Sequence, residues 1–147
     1  PEIDDSRVGL FGISLGAMVG AAVYSVDPTP RFAVLMLGGA DFPSLAATSS
    51  MTGPFLRSAG IKPEELRGPW RGIDPLDYRA ANKDKPILLI NARSDSVIPM
   101  ASALRLKDAF PRAEQFWVPL GHYSAIVHLL WIPRYISSRM GAGLKTQ

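Results

Sequence analysis

Gly12-Ile13-Ser14-Leu15-Gly16 stands between the apolar run Val8 to Phe11 and the Ala/Gly/Val stretch Ala17 to Tyr24. A G-x-S-x-G pentapeptide between a strand pattern and a helix pattern is the setting in which a serine is held on a sharp, strained turn with its hydroxyl lifted clear of the sheet. Glycine on either side suits that turn, because neighbouring chain packs too closely for side chains there. The competing reading is a serine that is merely a small residue in a tight strand-to-helix crossing.

Working outward, Arg7 to Phe11 reads as a buried parallel strand closed by glycine. The helix after it runs from about Leu15 to Ser25, and Asp27-Pro28-Thr29-Pro30 ends it. Phe32 to Leu37 is a second strand, stopped by Gly38-Gly39. From Ala40 to Asp74 no periodicity persists, since Pro43, Gly53, Pro54, Gly60, Pro63, Gly68 and Pro69 interrupt it. This excursion is expected to be mostly irregular, with two short helices, one starting at Pro63. Asp74-Pro75 opens a short helix to about Ala81, and Pro86 to Ile90 is the clearest strand of the chain. Ala101 to Phe110 is an amphipathic helix and Gln115 to Val118 a fourth strand. A last helix from about Ser124 to Met140 is expected to turn Ile126, Val127, Leu130 and Trp131 inward and to kink at Pro133.

Four βα units in this order predict an α/β fold: a mostly parallel sheet of about four strands, covered by helices on both faces, with right-handed crossovers. The 147 residues fit one domain, 1–147, with the excursion 42–74 as a lid or cap within it.

Composition removes several classes of function. The chain has no cysteine, which excludes disulfides, thiolate catalysis and zinc–thiolate sites and leaves the redox compartment open; a cytoplasmic location is the expectation. Its two histidines, His122 and His128, are six apart and cannot form an i, i+4 ligand pair, so no metal and no other cofactor is expected. A net charge of +3 and a pI near 9.5 come from scattered basic residues, and the densest cluster, Arg79 to Lys85, is interrupted by an acid. Nucleic acid is therefore not an expected partner. The uncharged stretch Val8 to Val26 approaches the roughly twenty residues of a membrane helix. Its acidic flank of Glu2, Asp4 and Asp5 is wrong for a signal peptide, and no membrane association is expected.

In a parallel α/β sheet, ligands bind beyond the carboxyl ends of the strands. Ser14 follows the first strand, Gly38 to Asp41 the second, Asn91 to Asp95 the third and Gly121-His122 the fourth. A serine, an acid and a histidine thus fall on one edge. Asp74, Asp77 and Asp84 precede the third strand, on the opposite edge. Asp41 reads as structural, and His128, inside the last helix, as packing.

The order Ser14, Asp95, His122 resembles the α/β-hydrolase superfamily, in particular its serine esterases and dienelactone-hydrolase-like members. Gly12 to Gly16 is similar to the family's nucleophile elbow, Pro86 to Pro99 to its acid-bearing strand and loop, and Gly121-His122 to its histidine loop. Ala92 departs from the glycine often found three residues before the acid. The resemblance implies an esterase-like acyl transfer on a small, uncharged ester. Ser14 would be the nucleophile, His122 the general base and acid, Asp95 the group fixing the imidazole, and Leu15 the donor of one backbone N–H to the oxyanion. It also implies that the excursion forms a lid or acyl pocket, with Met51, Phe55 and Trp70 as substrate-binding candidates; read from the residues alone, a plain hydrophobic mini-core is the equal alternative.

The resemblance covers the C-terminal half of the family's fold. The loop that gives the second oxyanion N–H has no counterpart before Pro1, and losing such a donor costs about 10² to 10³ in rate. The first strand is internal in the family's sheet, so here its outer side is expected to be open and to favour a homo-oligomer, an additional segment or a covering loop from the excursion. The alternative to an enzyme is a non-catalytic half-domain that acts in association.

Overall fold

The computed structural model describes residue 4 and residues 7–128. Its elements in chain order are β1 (Gly9–Ile13), α1 (Leu15–Val26), β2 (Phe32–Met36), α2 (Phe42–Thr48), α3 (Gly53–Ser58), α4 (Pro63–Arg67), a 3₁₀ turn (Pro75–Tyr78), β3 (Ile87–Ala92), α5 (Met100–Ala109), β4 (Glu114–Val118) and α6 (His122–His128). The strands form one parallel sheet in the order β1-β2-β3-β4. Its register pairs Ile13 with Met36, Met36 with Ile90 and Ala92 with Val118, so the loops that follow the strands open along one edge.

The pleat divides the core. On one face Ala17, Ala21 and Tyr24 of α1 and Leu106, Ala109 and Phe110 of and beside α5 pack against Ala33, Leu35, Ile87 and Leu89. On the other face Phe32, Val34, Met36, Leu88 and Ile90 are buried together, and Ala125 of α6 closes the carboxyl end beside Leu37 and Ala92. Period-two alternation explains this: even and odd residues of β2 serve opposite faces, and both sets are apolar because both faces are covered. Tyr24 anchors the far end of α1, its hydroxyl donating to the Pro86 carbonyl at 2.9 Å. Lys85 Nζ donates to the carbonyls of Tyr24 and Asp27.

Four expectations need correction. β1 runs two residues later than the apolar run suggests, because Gly12 lies inside the strand instead of closing it. A Cβ there would stand 2.4 Å from the Gly16 carbonyl oxygen. The excursion holds three helices, not two: Pro43, Pro54 and Pro63 each sit in the first turn of one, where proline's missing N–H has no intrahelical partner to lose. α6 begins at His122, and Ile126 and Val127 face outward, 36% and 67% exposed, leaving Ala125 as the packed residue. His128 is likewise exposed, its ring against the Ser124 carbonyl, and is not a packing residue. Leu130, Trp131 and Pro133 lie outside the described residues.

The segment 42–74 is closed at its base by Asp74, whose Oδ2 accepts the Phe42 N–H at 2.6 Å. At the far end Ser50 N donates to the Ser96 carbonyl at 2.8 Å. No helix among the described residues is long and apolar enough to cross a membrane; the uncharged stretch is divided between β1, a turn and α1.

Candidate active site

Ser14 has φ 54° and ψ −120°, a conformation that a side-chain-bearing residue adopts only when its surroundings impose it. They do so from both sides. Its N–H donates to the Met36 carbonyl at 2.8 Å, and its carbonyl accepts from Ala17 N at 2.9 Å and Met18 N at 3.1 Å. The close return of the chain at Gly12 completes the turn. Gly16 is different: a Cβ there would meet nothing within 4 Å, so the expectation of crowding at both glycines holds for the first alone.

Asp95 is carried two residues past Arg93, in the loop after β3. The ladder to β4 continues past the strands, with Arg93 N donating to the Val118 carbonyl at 2.9 Å and Ser94 N to the Leu120 carbonyl at 3.0 Å. These two bonds hold the loop after β3 against the loop that leads to His122. Asp95 Oδ1 accepts from Val97 N at 2.9 Å and Ile98 N at 2.8 Å, which fixes the carboxylate and leaves Oδ2 free to point across.

Oδ2 lies 2.7 Å from His122 Nδ1, and Nε2 lies 2.8 Å from Ser14 Oγ. An ionised carboxylate can only accept, so Nδ1 carries the proton and Nε2 is left to accept from the serine hydroxyl. Asp95 and His122 are 8% and 5% exposed, so each polar atom of this relay faces a partner in place of water. Such an arrangement can draw the proton from Ser14 as its oxygen attacks, and the buried carboxylate would then stabilise the imidazolium. Leu15 N, first in α1, has no hydrogen-bond partner among the described residues and lies at the positive end of that helix.

Ser14 also lines an open, largely apolar cavity of about 660 Å³. Met51 and Trp70 stand in its wall; Phe55 does not, and lies 67% exposed on α3. The expectation that all three share a pocket fails at Phe55, since α3 turns that ring outward. Sequence reading missed Met18, Val19 and Val23, which line the cavity from α1. Their spacing was the available signal, an apolar stripe on the side of the helix away from Ala17, Ala21 and Tyr24. Met51 also meets the first turn of α6, with Tyr123 Oη 3.7 Å from its Sδ. Asp41 caps α2 with a left-handed backbone and faces Arg67 at 3.6 Å, a structural use. Among the described residues no group of three or more His, Asp or Glu could hold a metal ion.

No family model matches the chain. It is 29% identical over 111 residues to the esterase YjfP of Escherichia coli, a match covering 71% of this chain and 43% of that protein. It is 30% identical over 107 residues to an alpha/beta hydrolase domain-containing protein of Arabidopsis thaliana, covering 67% of this chain and 33% of that one. The chain thus spans less than half the length of these curated relatives. Among solved structures it resembles the acylaminoacyl peptidase of Pyrococcus horikoshii, with a TM-score of 0.67 at 22% identity over 83% of this chain and 21% of that one. An esterase of Pyrococcus furiosus matches with a TM-score of 0.61 at 22% identity, over 96% of this chain and 54% of the other. At that identity the structural likeness speaks for the fold alone.

Proposed function

The chain belongs to the α/β-hydrolase superfamily, and on that premise we propose that it acts as a serine hydrolase on uncharged carboxylic esters through an acyl-enzyme. The observation that carries this reading is the unbroken chain of hydrogen bonds from Asp95 through His122 to Ser14 Oγ, at 2.7 and 2.8 Å.

In this reading Ser14 Oγ attacks the ester carbonyl carbon as its proton passes to His122 Nε2. The carbonyl oxygen becomes an oxyanion, which receives the Leu15 N–H. Collapse of the tetrahedral intermediate breaks the bond to the leaving alkoxide, which takes the proton from Nε2. A water molecule, deprotonated by the same nitrogen, then attacks the acyl carbon and frees Ser14. The segment 42–74 serves as a cap, with Met51 and Trp70 against the substrate. No step needs a cofactor. Support for esters over charged substrates comes from the cavity, whose wall holds no charged side chain.

Ser14→Ala decides this reading. Turnover of p-nitrophenyl acetate and butyrate should disappear in the variant; equal turnover by both proteins removes the enzyme reading.

A second reading, association, is favoured by β1. Among the described residues this strand pairs with β2 alone, and Phe11 on it is 48% exposed. The excursion packs over α1 and the acid loop and does not pair with that edge. We propose that a second copy of the chain pairs with β1, an apolar strand whose other side has no strand partner among the described residues. Sedimentation should then give a dimer that Phe11→Lys weakens; a monomer at all concentrations counts against the proposal.

A further inference from the structure

The side of β3 that faces α1 and α5 is apolar until its carboxyl end. Ile87 and Leu89 belong to the core there, and Asn91, next on the same side of the strand, is buried as deeply. A leucine of nearly the same size would fill this place with no polar group to desolvate, and an amide buried without partners is costly. Asn91 has its partners. Its Nδ2 donates to the Gly38 carbonyl at 3.0 Å, and its Oδ1 accepts from Gln115 Nε2 at 3.0 Å. The same Nε2 donates to the Ala103 carbonyl at 3.2 Å. Both ends of this relay are backbone carbonyls, which only accept, so the orientation of each amide is fixed.

Each arm of the relay reaches a segment that holds one of the reacting side chains. Gly38 follows closely on Met36, whose carbonyl takes the Ser14 N–H at 2.8 Å. Between them Leu37 has φ 53° and is fully buried, a left-handed conformation that a leucine adopts only when its surroundings impose it. That turn takes the chain off the ladder. Leu37 N still donates to the Ile90 carbonyl at 2.7 Å, but among the described residues no backbone N–H donates to the Gly38 carbonyl. Asn91 supplies the missing donor. On its own strand it leads to Asp95, and Gln115 on β4 leads to His122. The backbone bonds from Arg93 and Ser94 join the loops after β3 and β4 to each other. Asn91 joins that pair to the end of β2, and so to Ser14.

We infer that Asn91 is a positioning residue for the Ser14 centre: its buried amide locks the end of β2 to β3 and β4 and thereby sets Ser14 Oγ against the His122–Asp95 pair. The inference rests on Ser14 being the nucleophile. A buried polar network whose members are all satisfied rigidifies what it joins, and a misplacement of about 1 Å at a reacting centre costs about a hundredfold in rate. Asn91 makes no hydrogen bond to Ser14, Asp95 or His122 and does not line the cavity. Its effect therefore falls on kcat and leaves KM alone.

The test reads geometry and turnover separately in the full chain. His122 and His128 are its two histidines, so imidazole nitrogen NMR spectra report each ring. At about pH 9, above the ordinary range of imidazole titration, His122 should be the Nδ1–H tautomer. In Asn91→Leu an Nε2–H fraction should appear at His122 while the His128 signals stay in place. For p-nitrophenyl acetate, kcat should fall by about 10- to 100-fold with KM changed by less than about twofold. Gln115→Met, at a half-buried position, removes one arm and should lower kcat by about three- to tenfold. Asn91→Leu combined with Gln115→Leu leaves no amide unpaired, so thermal stability should return toward that of the unsubstituted protein. A positioning amide predicts that kcat stays low in this double variant; a merely structural one predicts that turnover recovers with stability. Should Asn91→Leu not fold, the tautomer and kcat of Gln115→Met decide. An unmoved His122 tautomer, an unchanged kcat, or recovery of kcat in the double variant overturns the inference. Loss of turnover in Ser14→Ala with an unmoved tautomer removes the brace and leaves the hydrolase reading standing. Equal turnover by Ser14→Ala removes the hydrolase reading, and with it the catalytic purpose of the brace, whatever the tautomer shows.

Discussion

The two sides of α1 are built by opposite rules. Toward the sheet, Ala17 and Ala21 are fully buried and Tyr24 nearly so, and the approach is so close that a Cβ on Gly38 would stand 2.9 Å from that of Ala17. Away from it, Leu15, Val19 and Val23 are left largely uncovered, and Gly16 faces open space. The packed side fixes where Ser14 sits, and through the Met36 and Ile90 ladder it fixes Ser14 relative to the loops after β3 and β4. The open side leaves room for something to approach Ser14. A reactive centre needs both, a rigid back that sets sub-ångström geometry and an unfilled front.

The largest expected effects break the rigid side at its polar end. His122→Ala removes the partner of both Ser14 and Asp95, and ester turnover should fall by about a millionfold, read as kcat in a stopped or continuous p-nitrophenyl assay. Asp95→Asn keeps the shape but presents an N–H to Nδ1 where an acceptor is required, so the imidazole turns to the wrong tautomer. A loss of about ten-thousandfold in kcat with little change in KM is expected. Comparable activity in either variant would mean that the buried relay is structural.

The two glycines beside Ser14 sharpen the contrast by a stability measurement. Gly12→Ala pushes a methyl against the Gly16 carbonyl, a backbone atom that cannot move without opening the turn, and should cost about 1 to 3 kcal/mol. Gly16→Ala meets open space within a helix and should be neutral or stabilising by up to about 1 kcal/mol. At roughly 2 to 4 °C per kcal/mol for a domain of this size, thermal unfolding resolves the two with opposite signs.

The smallest effect lies deeper on the packed side. Burial pushes the Tyr24 phenol up from 10.0 to about 12. The fold thus favours the protonated phenol, so the stability this group contributes is intact below about pH 10 and is lost as pH rises toward 12. Tyr24→Phe should flatten that alkaline loss in urea unfolding midpoints compared between pH 9 and pH 11; an unchanged alkaline slope would contradict the assignment.

How much of this was legible in the sequence differs by region, for physical reasons. Ser14, Asp95 and His122 could be brought to one edge from the sequence because a parallel sheet puts every loop that follows a strand on the same side. Their neighbourhood needed only the order of strands. The elements of the excursion were hidden because Pro43 and Pro54 look like breakers until their position in a helix is known, and in the first turn they are favourable. The end of β1 slipped because Gly12 reads as punctuation, whereas the close pass of Gly16 makes it part of the strand's end. The outward turn of Phe55 and the cavity floor at Val19 and Val23 depend on which side of a helix the tertiary structure leaves uncovered. Periodicity alone marks an apolar stripe without saying whether it is buried.

The most direct measurement of the central claim is covalent labelling of the full chain with diisopropyl fluorophosphate, followed by peptide mass spectrometry. Attack by Ser14 Oγ on phosphorus expels fluoride and leaves a diisopropylphosphoryl adduct on that residue, and it needs the same activated hydroxyl as ester cleavage. The account predicts a single adduct on Ser14, formed at least about a thousandfold more slowly in His122→Ala. An unmodified Ser14, or an adduct that forms equally fast without His122, would contradict it.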